Sequence, residues 1–298
     1  MTTRNPSVVP ELSYTYTYDA EGQVLRITDG LGEHVYAYDA AGRLTGADHP
    51  DGGPLVDEWY AYDALGRRTA SHLSGTYEYD AAGRLVADDA YAYAHDANGQ
   101  LSLIRHVTDG EEIALAYDAL GRNTGIRRRR SSDGEILNDL RFSFDGADRR
   151  ADKEDLLAGE REQIFYDQGN LIRVDNGGGA TESYTYAEGI DELLSGEIGG
   201  TTLAYARNER NDVVAVTADT GAIVRTYAYD SFGAASRPDR QSWIGSASGA
   251  GRRWLAVMYR FTTFAPASIF RRHGGFRDPT PGRRWAQPGI STRKARRC

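Results

Sequence analysis

The sequence predicts an all-β protein in which tandem antiparallel β-hairpins form one long curved sheet. A short phrase recurs eight times between residues 18 and 169 and again from residue 229: an aromatic residue, an aspartate, a few variable positions and usually Gly-Arg. Before each phrase, aromatic residues alternate with small or polar ones, as in Val35-Tyr36-Ala37-Tyr38. Self-similarity at a period of roughly twenty residues is typical of repeat architectures, whose units bury their apolar faces only against neighbours.

Each repeat predicts one hairpin. Period-two alternation indicates a half-buried strand, and tyrosine packs well against its neighbours across strands. The D-x-x-G that follows is turn chemistry, because aspartate caps the first position and glycine tolerates a positive φ. The residues after the glycine, such as Leu44-Thr45, return as a second strand. A single hairpin is marginal in water, so successive hairpins must pair with one another.

The repeated residues are predicted to be structural. The turn aspartates could be imagined as a calcium-binding array, but no D-x-D-x-D-G run occurs, so turn capping explains them better. The predicted structural turn residues are Tyr18, Asp19, Gly22, Tyr38, Asp39, Gly42, Arg43, Tyr62, Asp63, Gly66, Arg67, Tyr79, Asp80, Gly83, Arg84, Tyr117, Asp118, Gly121, Arg122, Tyr166, Asp167, Tyr229, Asp230 and Gly233. No catalytic, metal or cofactor site is predicted, and no cofactor is expected.

Composition narrows the class of protein. No apolar run is long enough to cross a bilayer, and the first residues lack the basic and apolar regions of a signal peptide. The single cysteine, Cys298, excludes disulfides and cysteine-based metal sites within the chain. The best candidate for a short helix is the stretch of residues 151–163.

Charge is divided unevenly along the chain. The net charge is −8, but thirteen Arg and one Lys from Arg237 onward face only two acids, giving +12 there and −20 before it. Such a basic stretch could bind nucleic acid, an acidic surface or the acidic body itself.

Three further patterns have both a functional and a structural interpretation. The six histidines are scattered and form no H-x-x-x-H pair. Arg127 to Arg130 are read as a solvated loop between hairpins, because no aromatic residues interleave them, so no nucleic-acid partner is expected. The repeated tyrosines could stack on sugars, although cross-strand packing accounts for them without a ligand.

Residues 14–233 resemble the YD-repeat, or rearrangement-hotspot (Rhs), family, which includes toxin-complex C components and the animal teneurins. Residues 203–233 resemble the segment that leads into the family's core. There Tyr227, Tyr229, Asp230, Phe232 and Gly233 occupy the positions of a Y-x-Y-D-x-F-G motif.

This resemblance implies a segment of a hollow β-shell that encloses a toxic C-terminal domain for delivery into a competing cell. The implied partners are upstream shell segments and the enclosed toxin, and the implied location is secreted or at the cell surface. The leading hypothesis is therefore a non-enzymatic, truncated piece of such a shell. The alternatives are a cell-surface carbohydrate-binding or adhesion module, and a small basic C-terminal effector carried on the repeats, for which His273 is the only histidine.

Four regions are expected. Residues 1–13 are a disordered N-terminus, residues 14–200 the hairpin array, residues 201–234 the start of the Rhs core, and residues 235–298 a basic, disordered or frameshifted tail. Family members continue with Y-x-F-R-A-R-x-Y and D-P-x-G, whereas here only fragments remain, at Tyr259 and Asp278. Read one base earlier, the codons of residues 262–269 permit Y-H-F-R-A-R-V-Y.

The frameshift hypothesis makes a direct prediction. Translation of the locus in all three frames from codon 230 onward should restore Y-x-F-R-A-R-x-Y and D-P-x-G one frame away. Stops and unrelated sequence in both other frames would instead make the tail genuine.

Overall fold

The structure is a computed structural model, and it describes residues 13–235 except residues 189–191 and residue 209. The predicted N-terminal segment up to residue 12 and the predicted tail after residue 235, including His273, lie outside the described residues. Within them there are strands and turns and no helix, which confirms the all-β prediction.

The strands pair in chain order, and every pairing between the described strands is antiparallel. A first sheet of six strands comprises β1 (Thr15–Tyr18), β2 (Val24–Asp29), β3 (Gly32–Tyr38), β4 (Leu44–Asp48), β5 (Glu58–Tyr62) and β6 (Arg68–Ser71). A second sheet of fifteen strands comprises β7 (Tyr77–Tyr79), β8 (Leu85–Asp88), β9 (Tyr91–His95), β10 (Leu101–His106), β11 (Glu112–Tyr117), β12 (Asn123–Arg129), β13 (Ile136–Phe144), β14 (Arg150–Asp155), β15 (Glu160–Asp167), β16 (Asn170–Asn176), β17 (Thr181–Tyr186), β18 (Leu193–Ile198), β19 (Thr201–Arg207), β20 (Val213–Ala218) and β21 (Ile223–Thr226).

The ladder is interrupted once, between β6 and β7. There the backbones of Ser71 and Ser74 bond to each other in a tight turn, with N–H to carbonyl distances of 2.7 and 3.1 Å. The Ser71 hydroxyl meets the Tyr77 hydroxyl at 2.7 Å, so a side-chain contact links the two sheets where the ladder stops.

The repeated turns lie on one edge of each sheet. Each YD turn joins an odd-numbered strand to the following even-numbered one, and the strand direction alternates regularly. Just before the turn aromatic the register shifts by one residue, for example between Ala37 and Tyr38 and between Ala116 and Tyr117. A bulge of this kind bends its strand and increases local twist, so its repetition curves the sheet.

Buried apolar side chains form two clusters. One spans β7 to β11 and contains Tyr77, Leu85, Tyr93, Leu101, Ile104 and Leu115. The other spans β16 to β20 and contains Leu171, Val174, Tyr184, Leu193, Ile198, Leu203 and Val216. Neighbouring strands thus supply the members of each cluster, as expected when every hairpin packs on those next to it.

The helix considered for residues 151–163 is absent, and that expectation is wrong. Residues 150–155 form β14, residues 160–163 begin β15, and Asp155 caps the turn between them through the N–H of Leu157 at 3.0 Å. Gly159 has φ 66°, which ends any helical path. Pairing with β13 and β16 overrides the local helix propensity of this acidic stretch.

The boundary expected between residues 200 and 201 falls inside a hairpin. Gly199 and Gly200 form the turn between β18 and β19, whose residues Ser195 to Ile198 pair with Thr201 to Ala204. The sheet therefore continues from the array into the segment that resembles the start of the core.

Glycines in the repeated turns should be needed for their backbone conformation. Gly83 has φ 77° and a Cβ built there meets nothing within 4 Å, so Gly83→Ala tests the backbone alone. We expect a loss of about 1 kcal/mol in the free energy of unfolding, measured by urea denaturation. Gly178→Ala is the matched control: its Cβ also meets nothing, it has no positive φ, and it should be near neutral. Equal effects of the two substitutions would contradict the prediction.

Candidate functional site

The repeated turns share one hydrogen-bond pattern around the aspartate. At Asp39 the backbone N–H donates to the carbonyl of Arg43 at 2.9 Å, and the Gly42 N–H returns to the Asp39 carbonyl at 2.9 Å. The Asp39 Oδ1 accepts the N–H groups of Ala41 and Arg43 at 2.9 and 3.0 Å. The same bonds recur at Asp63, Asp80 and Asp118. Each carboxylate therefore closes its own turn.

The turn arginines connect each repeat to the next one. Arg43 donates from Nε to Asp39 Oδ2 at 2.6 Å, and its guanidinium lies 5.0 Å from the ring centre of Tyr62 in the following repeat. Equivalent contacts join Arg67 to Tyr79 (5.1 Å), Arg122 to Phe144 (4.8 Å) and Arg149 to Tyr166 (4.9 Å). We call this series the arginine ladder. Cation–π contact and ion pair act on the same side chain, which orders it.

Turn tyrosines make the reverse contact, to the preceding repeat. The hydroxyl of Tyr38 donates to the Val24 carbonyl at 3.0 Å. The same contact joins Tyr79 to Arg68 (2.8 Å), Tyr117 to Leu101 (2.9 Å) and Tyr229 to Val213 (2.7 Å). Burial raises the pKa of Tyr117 to about 12. These phenols are therefore neutral donors at ordinary pH.

Hydrogen bonding in the turns lowers the pKa of several aspartates. The pKa of Asp39 and of Asp80 is below its ordinary value, chiefly because of the backbone N–H of Arg43 or Arg84. For Asp145 the main cause is the side-chain hydrogen bond from Arg149. All three stay ionised in the folded chain well into the acid range.

Some repeats depart from the common pattern. Asp19 accepts the Gln23 N–H at 2.7 Å, and glutamine stands where other turns have arginine. Asp167 differs more, because it is the last residue of β15 and pairs with Asn170 across a two-residue turn of Gln168 and Gly169, both with positive φ. Tyr166 remains in the arginine ladder although its turn is shorter.

One repeat escaped sequence reasoning. Asn208 forms a turn of the YD type: its Oδ1 accepts the N–H groups of Arg210 and Asp212 at 3.0 and 2.9 Å, and Asn211, at φ 70°, replaces the glycine. Arg207 occupies the place of the aromatic residue, so no YD phrase is visible. The signal that could have found it is the asparagine four positions before Asp212, between two alternating strands.

The last turn of the array packs against its first sheet. Asp230 closes a YD-type turn through the N–H groups of Phe232 and Ala234 at 3.0 and 2.7 Å. Ser231 then donates from its N–H and its hydroxyl to Glu58 Oε1, both at 2.9 Å, across 173 positions of sequence. The Phe232 ring lies 4.9 Å from the ring of Tyr60 and 4.6 Å from the guanidinium of Arg68.

Beneath this contact runs a buried line of polar groups. His34 Nδ1 lies 2.8 Å from His49 Nδ1, and His49 Nε2 lies 2.9 Å from Glu58 Oε1. At the other end, His34 Nε2 is 3.4 Å from Asp29 Oδ1. If His49 donates to Glu58 from Nε2, its Nδ1 accepts a hydrogen bond from His34 Nδ1.

The pKa values of the two carboxylates around this line, Glu58 and Asp230, are shifted in opposite directions. Burial would raise the pKa of Glu58, but hydrogen bonds from His49, Tyr60 and Ser231 outweigh it and hold the pKa below its usual value. Burial and the nearby charge of Glu58 raise the pKa of Asp230. Sequence reasoning missed this cluster, because His34, His49 and Glu58 belong to neighbouring strands or turns and Ser231 comes from the far end of the array.

The run Arg127 to Arg130 is not the solvated loop that was expected. Arg127, Arg128 and Arg129 belong to β12, where they pair with Asp139, Glu111 and Glu112 on the adjacent strands or turns. Arg130 pairs with Asp133 and Glu135 in the following turn. The basic side chains are thus matched by acids within the sheet.

Other kinds of site are not formed by the described residues. Residues 13–235, with the gaps noted above, contain no group of three or more His, Cys, Asp or Glu side chains that could hold a metal ion. In the same part of the chain, no helix has the length and hydropathy needed to cross a bilayer.

Comparison with known proteins identifies the repeats. Residues 3–137, which contain the first six copies of the turn phrase, match the family model described as Teneurin YD-shell. This match confirms the YD-repeat resemblance predicted from the sequence. A search of curated proteins gives no match.

Several solved structures also resemble the chain. A crystal structure of TcdB2-TccC3-TEV is 14% identical, with a TM-score of 0.40 over 75% of this chain and 17% of the other. The Tc holotoxin pore of Photorhabdus luminescens is 14% identical, with a TM-score of 0.35 over 74% and 15%. A porin-like protein from Bacteroides uniformis is 15% identical, with a TM-score of 0.29 over 71% and 91%. The chain therefore spans less than a fifth of these Tc structures.

The turn carboxylates should make the array sensitive to acid. Because the pKa of Asp80 is lower in the folded chain than in the unfolded one, its stabilisation is present above the unfolded pKa of about 4 and is lost as pH falls through the folded pKa. In Asp80→Asn the stability of β7–β8 should depend less on pH below about 4, as measured by hydrogen exchange across a pH series. Asp51→Asn, outside the repeated turns, is the control. An unchanged pH dependence in Asp80→Asn would contradict the assignment.

Proposed function

We propose that the chain forms part of the wall of a protein shell that encloses a polypeptide toxin. In this role it is not an enzyme: it works by pairing with neighbouring repeats and excluding the surroundings from the cargo. The observation that carries the proposal is the arginine ladder. In it, the arginines of several turns contact the aromatic rings of the next repeat.

The ends of the array support partners of the same kind. β1 and β21 are terminal strands of their sheets, and a terminal strand presents backbone groups that can pair with another strand. Upstream YD-repeat segments are therefore the proposed partners at β1. Delivery in contact-dependent competition between bacteria, with a secreted or cell-surface location, is the setting that the Rhs resemblance of the sequence implies.

A carbohydrate-binding role is less well supported. Sugar stacking needs exposed aromatic faces, whereas arginines cover the rings of Tyr62, Tyr79 and Tyr166 within the ladder. The hydroxyls of Tyr38 and Tyr117 already donate to backbone carbonyls. These five tyrosines are thus committed to packing between repeats.

A competition assay tests the shell proposal. A producer strain that lacks the codons for residues 13–235 should stop killing a neighbour that carries none of the producer's locus. The full chain should restore killing. Arg122→Ala, which breaks one step of the ladder, should restore it poorly, whereas Leu120→Ala, in the same turn and 69% exposed, should restore it fully.

Two outcomes would contradict the proposal. Undiminished killing by the deletion strain would exclude a role for the chain in delivery. Saturable binding of the soluble chain to defined glycans, abolished by Tyr62→Ala, would favour the adhesion alternative.

A further inference from the structure

We propose that the turn of residues 229–233 is a latch, and that the β5–β6 hairpin is its receptor. The latch joins the end of the described array to its beginning and can open without unfolding either. Its role in a shell wall, where it would hold one pass of the array against another, rests on the proposed function; its existence does not.

Comparison among the repeated turns distinguishes the latch. The residue before the turn glycine is solvent-exposed in the other turns that share the phrase, reaching 78% for Leu65 and 69% for Leu120. Phe232 occupies the same position but is half-buried against Tyr60 and Arg68. An identical backbone turn therefore presents a side chain to solvent elsewhere and to the protein here.

The receptor is preformed by the first sheet. Tyr60 and Arg68 are 5% and 1% exposed, and the Arg68 guanidinium lies 4.5 Å from the Tyr60 ring and 4.6 Å from that of Phe232. One guanidinium thus lies between two aromatic rings that are distant in sequence. Arginine suits this position because it is planar and keeps its charge.

A charged hydrogen bond adds specificity to the ring contact. Glu58 accepts both the N–H and the hydroxyl of Ser231, while His49 and Tyr60 hold the carboxylate from the other side. The equivalent residue is alanine at positions 64 and 119, where no such hydroxyl exists. Glu58 is only 4% exposed, so loss of Ser231 would leave a buried carboxylate with fewer donors.

The wider surroundings also bring the two ends together. Arg210, in the turn between β19 and β20, is close enough to Tyr36 and Tyr38 of β3 to lower their pKa values against the larger effect of burial. The hydrogen bonds from Ser231 to Glu58 and the contact of Phe232 with Tyr60 join the end of the described array to its first sheet.

Hydrogen exchange on the full chain tests the latch. Phe232→Ala should lower protection of residues 58–72 by about tenfold or more, the equivalent of about 1.4 kcal/mol, and leave β9 to β12 unchanged. Leu120→Ala is the matched control and should change neither region. Phe232→Tyr keeps the ring and should retain most of the protection.

The hydrogen-bond part has its own readout. Ser231→Ala and Glu58→Gln should each lower protection of residues 228–235, and the double variant should lose less than the product of the two fold-changes. Independent effects, or no effect of Phe232→Ala on residues 58–72, would overturn the latch. Loss of protection along the whole array in Phe232→Ala would also overturn it, because the contact would then not be separable. None of these results depends on the outcome of the competition assay.

Discussion

Where a repeated turn ends in arginine, that side chain is the one on which the architecture depends. It bonds the aspartate that closes its own turn and covers the aromatic ring that begins the next one, as Arg43 does with Asp39 and Tyr62. A turn that is well formed therefore positions its neighbour. Local turn chemistry becomes long-range order in this way, and the buried clusters of the described residues are each built from neighbouring strands.

Curvature follows from the same turns. The register shift before each turn aromatic adds one unpaired residue per repeat, which bends the sheet steadily in the same place. Continued over the eight hairpins from β5–β6 to β19–β20, this bend brings Ser231 to Glu58. The contact between Ser231 and Glu58 is therefore also a consequence of repeat geometry. The buried groups around Glu58 make that contact more specific.

The sequence was most informative where a residue's contacts lie close to it in the chain. Asp39 and Gly42 could be assigned to a capped turn because the hydrogen-bond partners lie within four positions. The Arg43–Tyr62 contact could not be assigned, because it depends on how far apart successive hairpins sit. The same limit hid the line from His34 to Glu58, whose members belong to three different strands or turns.

The errors in prediction arose because contacts between strands outweigh the local properties of the sequence. Residues 151–163 are rich in good helix formers, yet strands on both sides supply hydrogen bonds for them. Arg127 to Arg129 resembled a charged loop because their acidic partners come from adjacent strands and turns. Asn208 was overlooked because its turn has the same hydrogen bonds as the YD turns but a different sequence.

A double-mutant cycle between Arg43 and Tyr62 tests the central claim most directly. Native-state hydrogen exchange of β3 to β6 would give the opening free energies of Arg43→Ala, Tyr62→Ala and the double variant. The arginine ladder predicts a coupling free energy of about 0.5–2 kcal/mol between Arg43 and Tyr62. It predicts no coupling between Arg43 and Tyr79, because Arg67 covers the Tyr79 ring instead. Strictly additive effects for Arg43 and Tyr62 would contradict the claim that arginines couple one repeat to the next.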